Sequence, residues 1–157
     1  MKTIIIYYTL EGNTKFAAQE LAKHLNADIL ELQPEKPVKA KGFSKYIWGG
    51  KQVVMNEKPQ LKPYDYKNAG YDLTILASPI WASNFAPAFT TFLYDNKIKG
   101  KVALLGCNDG GGCEKAFTTL KEKLKDNEII ATLDIISPLK NQEETREKVK
   151  KFSKQLL

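Results

Sequence analysis

Three short stretches of this sequence hold the residue types from which a site could be made. The first, Thr9-Leu10-Glu11-Gly12-Asn13-Thr14, surrounds a turn-forming glycine with hydroxyl and amide side chains. The second, Ser78-Pro79-Ile80-Trp81-Ala82-Ser83-Asn84, offers an indole face after a proline that stiffens the turn, and then the backbone amides of Ala82 to Asn84. The third, Asn108-Asp109-Gly110-Gly111-Gly112-Cys113, joins an amide and a carboxylate to glycines, which let another group approach the backbone closely. The chemistry on offer is binding: neutral donors for an anion, an aromatic surface for a flat ring, and open backbone for a hydrogen-bonding ring edge.

What must position these stretches is an alternation of strands and helices. IIIYY at 4–8 is an unbroken apolar run that empties into the first stretch. Phe16, Ala17, Leu21 and Leu25 recur at helical spacing, which predicts an amphipathic helix starting directly behind Gly12 to Thr14. Its free N–H groups and positive dipole end would make an anion seat. DILEL at 28–32 alternates like a half-buried strand that Pro34 and Pro37 end. LTILA at 73–77 and KVALLGC at 101–107 predict two more strands, opening into the second and third stretches, and Pro87 suits the first turn of a helix ending near Tyr94. Phe117, Leu120 and Leu124 line a further helix, and residues 129–136 read as a fifth strand. Asn141 with Glu144 predicts a capping box that opens a last helix burying Val149, Phe152 and Leu156. The implied class is α/β, a five-stranded parallel sheet with helices on both faces. In the doubly wound order 2-1-3-4-5, strands one, three and four are neighbours, and ligands bind beyond their carboxyl ends. The three stretches follow those three strands, so one crevice receives them all.

At 157 residues the chain fits a single domain, 1–157, that needs neither disulfides nor a metal to hold it. With 43% hydrophobic and 27% charged residues, and no apolar run near the roughly eighteen residues of a membrane span, it reads as an ordinary soluble globular protein. The first apolar run is short and lacks a small-residue cleavage site, so a cytoplasmic location is expected, with Cys107 and Cys113 as reduced thiols. All of the net charge of +6 lies between Lys36 and Lys62, where lysines 36, 39, 41, 45, 51, 58 and 62 face a single acid, Glu57. Such a segment is a solvated face, a docking surface for an acidic partner or an attraction for anionic cofactors, and no nucleic-acid role is expected. Within it Phe43, Tyr46, Ile47 and Val54 predict a helix, across which Gly49-Gly50 would cost about 1 kcal/mol per glycine.

Other chemistries are excluded by residue type. His24 is the only histidine, sits beside an apolar stripe, and has no nucleophile elbow to serve. Cys107 and Cys113 read better as separate thiols than as a redox pair, and the Cys-x5-Arg loop of a low-molecular-weight tyrosine phosphatase is not formed, because Cys113 stands at the arginine position. Tyr7-Tyr8-Thr9 and Ser78-Pro79 occupy the places where a phospho-accepting receiver domain needs carboxylates, and no Gly-Lys-Ser/Thr is present.

The segment Thr9 to Thr14 resembles the phosphate loop of flavodoxins, a Ser/Thr-x-Thr-Gly-x-Thr pattern, with Glu11 standing where that pattern has a hydroxyl. Pro79-Ile80-Trp81, with Pro87 six residues beyond the tryptophan, resembles the second flavin loop of flavodoxins and related reductases. Trp48-Gly49-Gly50-Lys51-Gln52 looks like a subgroup of short flavodoxin-like proteins, and the similarity extends over most of the chain. The resemblance implies a flavodoxin-like three-layer sandwich and FMN as a non-covalent cofactor. It implies that Thr9, Leu10, Glu11, Gly12, Asn13 and Thr14 bind the phosphate, with Pro79, Ile80, Trp81, Ala82 and Asn84 against the ring. Asn108, Asp109, Gly110, Gly111 and Cys113 complete the implied set. The third loop departs by lacking a tyrosine for the second flavin face, so either Trp48 or Tyr46 covers that face or it is open to a substrate. Three roles follow: an electron carrier with a redox partner protein, an NAD(P)H-dependent reductase of flavin or quinone, or a non-catalytic FMN-binding module. Against the first stands charge, since familiar flavodoxins are acidic and dock on basic partners.

Overall fold

The computed structural model describes residues 1–37, 58–66 and 70–157. The expected helix through Phe43 and Val54, the Trp48 to Gln52 motif and most of the basic segment lie outside the described residues.

The strands are β1 (Thr3–Tyr7), β2 (Asp28–Glu31), β3 (Leu73–Trp81), β4 (Asn84–Phe85), β5 (Lys101–Asn108) and β6 (Ile129–Ile136). The helices are α1 (Asn13–Leu25), α2 (Ala88–Asp95), α3 (Glu114–Lys123) and α4 (Gln142–Leu156). The sheet runs β2-β1-β3-β5-β6, every pair along that path parallel, which is the expected order with a short antiparallel strand, β4, added beside β3.

Side-chain alternation along the central strands divides the core in two. Ile4 and Ile6 of β1, Leu76 of β3 and Leu104 of β5 meet Phe89 and Phe92 of α2 and Phe117 and Leu120 of α3. Ile5 and Tyr7, Leu73 and Ile75, and Leu105 point the other way, onto Ala17 and Leu21 of α1 and Val149 and Phe152 of α4. Strands covered on both faces read as continuous apolar runs, which is why β1, β3 and β5 stand out in the sequence. Each large side chain so buried contributes about 1.5–3 kcal/mol of transfer free energy.

Chain ends and turns differ from expectation at two places. β3 does not stop at Ala77 but runs to Trp81, turns through Ala82 (φ 47°) and Ser83 (φ 62°), and pairs back through Ile80↔Phe85 and Trp81↔Asn84. Two successive positive φ values define the hairpin turn whose twist matches antiparallel strands. The expected capping box at the start of α4 is absent: the Asn141 side chain makes no cap bond and donates back to the Ile136 carbonyl at 3.1 Å, while Glu144 pairs with Lys148 at 2.7 Å. Past β2, the Glu35 N–H donates to the Gln60 carbonyl (2.8 Å) and the Lys62 N–H to the Gln33 carbonyl (2.7 Å), so residues 58–66 lie along the α2 side, Tyr64 and Tyr66 against Phe92. Among the described residues no helix is long and apolar enough to cross a membrane.

Candidate ligand-binding crevice

The carboxyl ends of β1, β3 and β5 open into a crevice of about 750 Å³, a volume in the range of small-ligand and cofactor sites. Residues of all three stretches line it, and Pro138, from the turn after β6, closes one side.

The first loop is built around Gly12, whose φ of 95° is unfavourable for a residue with a Cβ. Thr9 Oγ1 accepts the Gly12 N–H at 3.0 Å, and the Gly12 carbonyl accepts Phe16 N–H at 3.0 Å as α1 begins. The chain thus enters the helix with its first N–H groups turned toward the crevice end of the axis, where none has an intrahelical acceptor. Asn13 Oδ1 accepts the Leu139 N–H at 3.0 Å, which ties the loop to the turn after β6. Thr14 is 1% exposed, and its Oγ1 has no conventional hydrogen-bond partner; the neighbouring Cys107 thiol is a weak substitute. A buried hydroxyl left in that state at the edge of a crevice is free to serve a hydrogen-bonding ligand.

The β3–β4 hairpin forms the second wall. Ser78 Oγ, buried beneath it, accepts Ala86 N–H at 2.9 Å and donates to the Pro79 carbonyl at 2.8 Å, which fixes the hairpin's root. Half-buried Trp81 meets Tyr8 edge to face, centroids 5.5 Å apart and planes at 89°. That contact holds the indole at the crevice wall.

The third loop is held by side chains rather than by its own backbone. Asn108 Oδ1 accepts the N–H groups of Gly110 (2.7 Å) and Gly112 (3.1 Å), and its Nδ2 donates to Asp134 Oδ1 and to Cys113 Sγ at 3.3 Å. Asp134 Oδ2 in turn accepts Cys113 N–H at 2.9 Å. Asp109 Oδ1 accepts the Ser137 hydroxyl at 2.9 Å, so the turn after β6 braces the first and third loops together. Gly110 (φ 128°) and Gly112 (φ 75°) supply the backbone conformations this wrapping needs.

Of the residues singled out in the sequence, Thr9, Leu10, Glu11, Asn13, Thr14, Pro79, Ile80, Trp81, Ala82, Asn108, Asp109 and Gly111 line the crevice. Gly12, Asn84, Gly110 and Cys113 lie off its lining: Asn84 faces a smaller groove between α2 and α3, and Cys113 is 1% exposed behind Gly106. Ser83 and Gly112, from the second and third stretches, line it too; Cys107 and Pro138 line the crevice without having been anticipated, and Asp134 and Ser137 act behind it. The Pro-Leu sequence after a fifth strand carries no signal for such a role; the 26-residue separation of Asp134 from Asn108 hides the other.

The only charged side chains among the described lining residues are the carboxylates of Glu11 and Asp109. An anion here must therefore be held by N–H and O–H donors. Both thiols are poor nucleophiles: burial pushes Cys107 up to about 12 against the opposing contact with Thr14, and burial likewise pushes Cys113 up to about 12, Asn108 opposing and Asp134 adding to it. Neither thiol is expected to react with iodoacetamide in the native protein at pH 8, whereas both react in denaturant; alkylation followed by mass measurement checks this. The same shifts make stability fall as pH rises above about 9, where the unfolded thiols ionise and the folded ones stay protonated until about 12. Among the described residues no group of His, Cys, Asp and Glu could hold a metal ion.

A crevice with a helix N-terminus, an indole wall and open backbone has the chemistry to bind and orient a flat, phosphorylated molecule, and comparison with known proteins identifies the fold that carries it. A Bacteroides uniformis protein of known structure superposes with a TM-score of 0.82 at 21% identity, over 98% of this chain and 97% of that one. The flavoprotein of Lactobacillus acidophilus NCFM, solved in complex with FMN, gives 0.70 at 21% identity, over 90% and 97%. Two-electron reduced flavodoxin of Megasphaera elsdenii gives 0.55 at 21% identity, over 97% and 98%. No curated protein matches the sequence. The family model for flavodoxin matches residues 2–156, nearly the whole of the chain, which therefore belongs to the flavodoxin family.

Proposed function

We propose that this protein binds FMN non-covalently in the crevice and works as a redox protein, passing electrons to or from a partner through the bound flavin. The observation that carries the reading is Thr14 Oγ1, a buried hydroxyl without a conventional partner, aligned with the N-terminus of α1 at one end of a cofactor-sized crevice. Family membership and the FMN-bound Lactobacillus relative support it.

In this reading Thr9, Asn13 and Thr14, with the first N–H groups of α1, hold the phosphate through neutral donors. Trp81 lies against the ring, and the backbone of residues 82–83 and 109–112 borders its polar edge. The flavin supplies the one- and two-electron chemistry. The chain's part is to position it, keep water from one face with Trp81, and present no thiolate or histidine that would compete for electrons.

A second reading, reduction of flavin or quinone by NAD(P)H, is favoured by one observation. The third loop contributes Asn108, Asp109, Gly111 and Gly112 to the crevice and no aromatic ring, so among the described lining residues no second ring stands opposite Trp81.

The test is the absorbance of the purified protein after loading with FMN and removing the excess. Retained bands near about 375 and 450 nm are expected. Trp81→Ala is expected to weaken FMN affinity about tenfold through loss of ring contact, read by quenching of flavin fluorescence. Wild type that retains no colour and quenches no flavin fluorescence sinks the FMN assignment. Rapid bleaching by NADPH or NADH in the absence of oxygen supports the reductase; slow bleaching with ready reduction by dithionite supports the carrier.

A further inference from the structure

Glu11 is an uncompensated carboxylate at the phosphate end of the crevice. It lies between Thr9 and Gly12 in the loop, it is exposed, and it lines the crevice. Among the described residues it has neither an ion pair nor a hydrogen bond. The nearest cation along the chain, Lys15 in the first turn of α1, is drawn to Glu31 at 3.9 Å, and Glu31 also accepts the Tyr7 hydroxyl at 2.8 Å. Asp109, the other lining carboxylate, belongs to the third loop and is occupied by Ser137. Among the described residues the favourable charge at this end is thus the partial positive charge at the start of α1, about half an elementary charge, set against the full negative charge of Glu11.

We propose that Glu11 sets the phosphate selectivity of the crevice: it offsets much of the attraction for a phosphate dianion, so that FMN and riboflavin are distinguished less sharply than the loop's donors alone would allow. The inference rests on the flavin reading of the crevice. Its physical content is a repulsion between one carboxylate and a nearby dianion in a water-like medium, which amounts to about three- to tenfold in affinity at low salt and fades as the Debye length shrinks. Riboflavin, with the same ring and ribityl chain but no phosphate, does not feel it. A neutral side chain at position 11 leaves the Thr9–Gly12 bond, the Gly12 conformation and the α1 N-terminus as they are, because Glu11 contributes to none of them.

Dissociation constants of FMN and riboflavin, measured by fluorescence quenching on wild type, Glu11→Gln and Glu11→Lys, test the proposal. Glu11→Gln is expected to tighten FMN about three- to tenfold and to leave riboflavin within about twofold, and the gain is expected to fall below about twofold in 1 M salt. Glu11→Lys is expected to tighten FMN further. Unchanged FMN affinity in Glu11→Gln overturns the proposal, as does equal tightening of both flavins, which would mark a contact or loop effect instead of charge. Wild type and variants that all bind neither flavin overturn the flavin reading itself, and this selectivity with it.

Discussion

Replacing Gly106 by alanine is expected to lower the unfolding free energy by about 2–3 kcal/mol, at the upper end of what overpacking a well-filled core costs. Gly106 lies in β5, in register with Ser78 of β3 and Asp134 of β6, and its φ is ordinary, so the cost is one of space and not of backbone strain. A Cβ there would stand 2.5 Å from Cys113 Sγ, 2.9 Å from Cys113 Cβ and 3.2 Å from Phe117 Cζ. Neither neighbour can retreat freely. The Cys113 N–H is held by Asp134 and its sulfur by Asn108, and Phe117 is wedged against Phe85 with centroids 6.2 Å apart. Relief requires α3 to move away from the sheet, and the third loop, which ends at Cys113, moves with it. Urea unfolding with an unchanged m value is the measurement, and a loss under about 0.5 kcal/mol would show the α3 junction to be plastic. Adding Cys113→Ala, which deletes the closest atom, is expected to restore part of the loss through a favourable coupling between the two sites.

That junction also marks the boundary of what could be read in advance. The central strands were legible because β1, β3 and β5 are covered on both faces and so write unbroken apolar runs, and the crevice followed because the three atypical loops all succeed those strands. The β3–β4 hairpin was not. Ser78-Pro79 has the composition of a loop, yet Pro79 continues β3 beside Cys107 at a level where β1 has already ended, so its missing N–H removes no bond on that side. The turn residues Ala82 and Ser83 gave no warning either, since a turn with two positive φ values ordinarily announces itself with Asn-Gly. Asn108 was legible as a polar residue at a strand end, but its partner Asp134 sits on the edge strand β6, where a lone acid reads as solvent-facing. The capping box at Asn141 and Glu144 had the right spacing, but the carbonyls of Ile136 and Ser137 took the asparagine amide. Local pattern predicted elements well and predicted tertiary side-chain commitments poorly, because the latter depend on which loops the topology brings together.

Thr14 yields the sharpest test, because a single substitution is expected to move stability and binding in opposite directions. Valine matches threonine in shape and replaces the hydroxyl by a methyl. In the free protein Thr14 Oγ1 is buried without a conventional partner, and a hydroxyl in that position costs about 1–3 kcal/mol of desolvation. Thr14→Val is therefore expected to raise the stability of the ligand-free protein by about 1 kcal/mol, part of the gain being lost with the weak contact to the Cys107 thiol. In the FMN complex the same hydroxyl would donate to a phosphate oxygen, a charge-assisted bond worth about 1.5–3 kcal/mol, so FMN affinity is expected to fall about ten- to a hundredfold. Thr14→Ser separates the two effects from the other side: it keeps the donor but removes a buried methyl, so binding is expected to hold while stability falls by about 1 kcal/mol. Thermal unfolding with and without FMN reads both quantities in one experiment, since a bound ligand stabilises the fold by an amount that rises with the logarithm of its affinity. A purely structural threonine would lose stability on losing its hydroxyl and change FMN binding only as much as the fold loosens. Opposed signs in valine, with serine keeping binding while losing stability, belong to a hydroxyl kept in an unfavourable place because a ligand completes it.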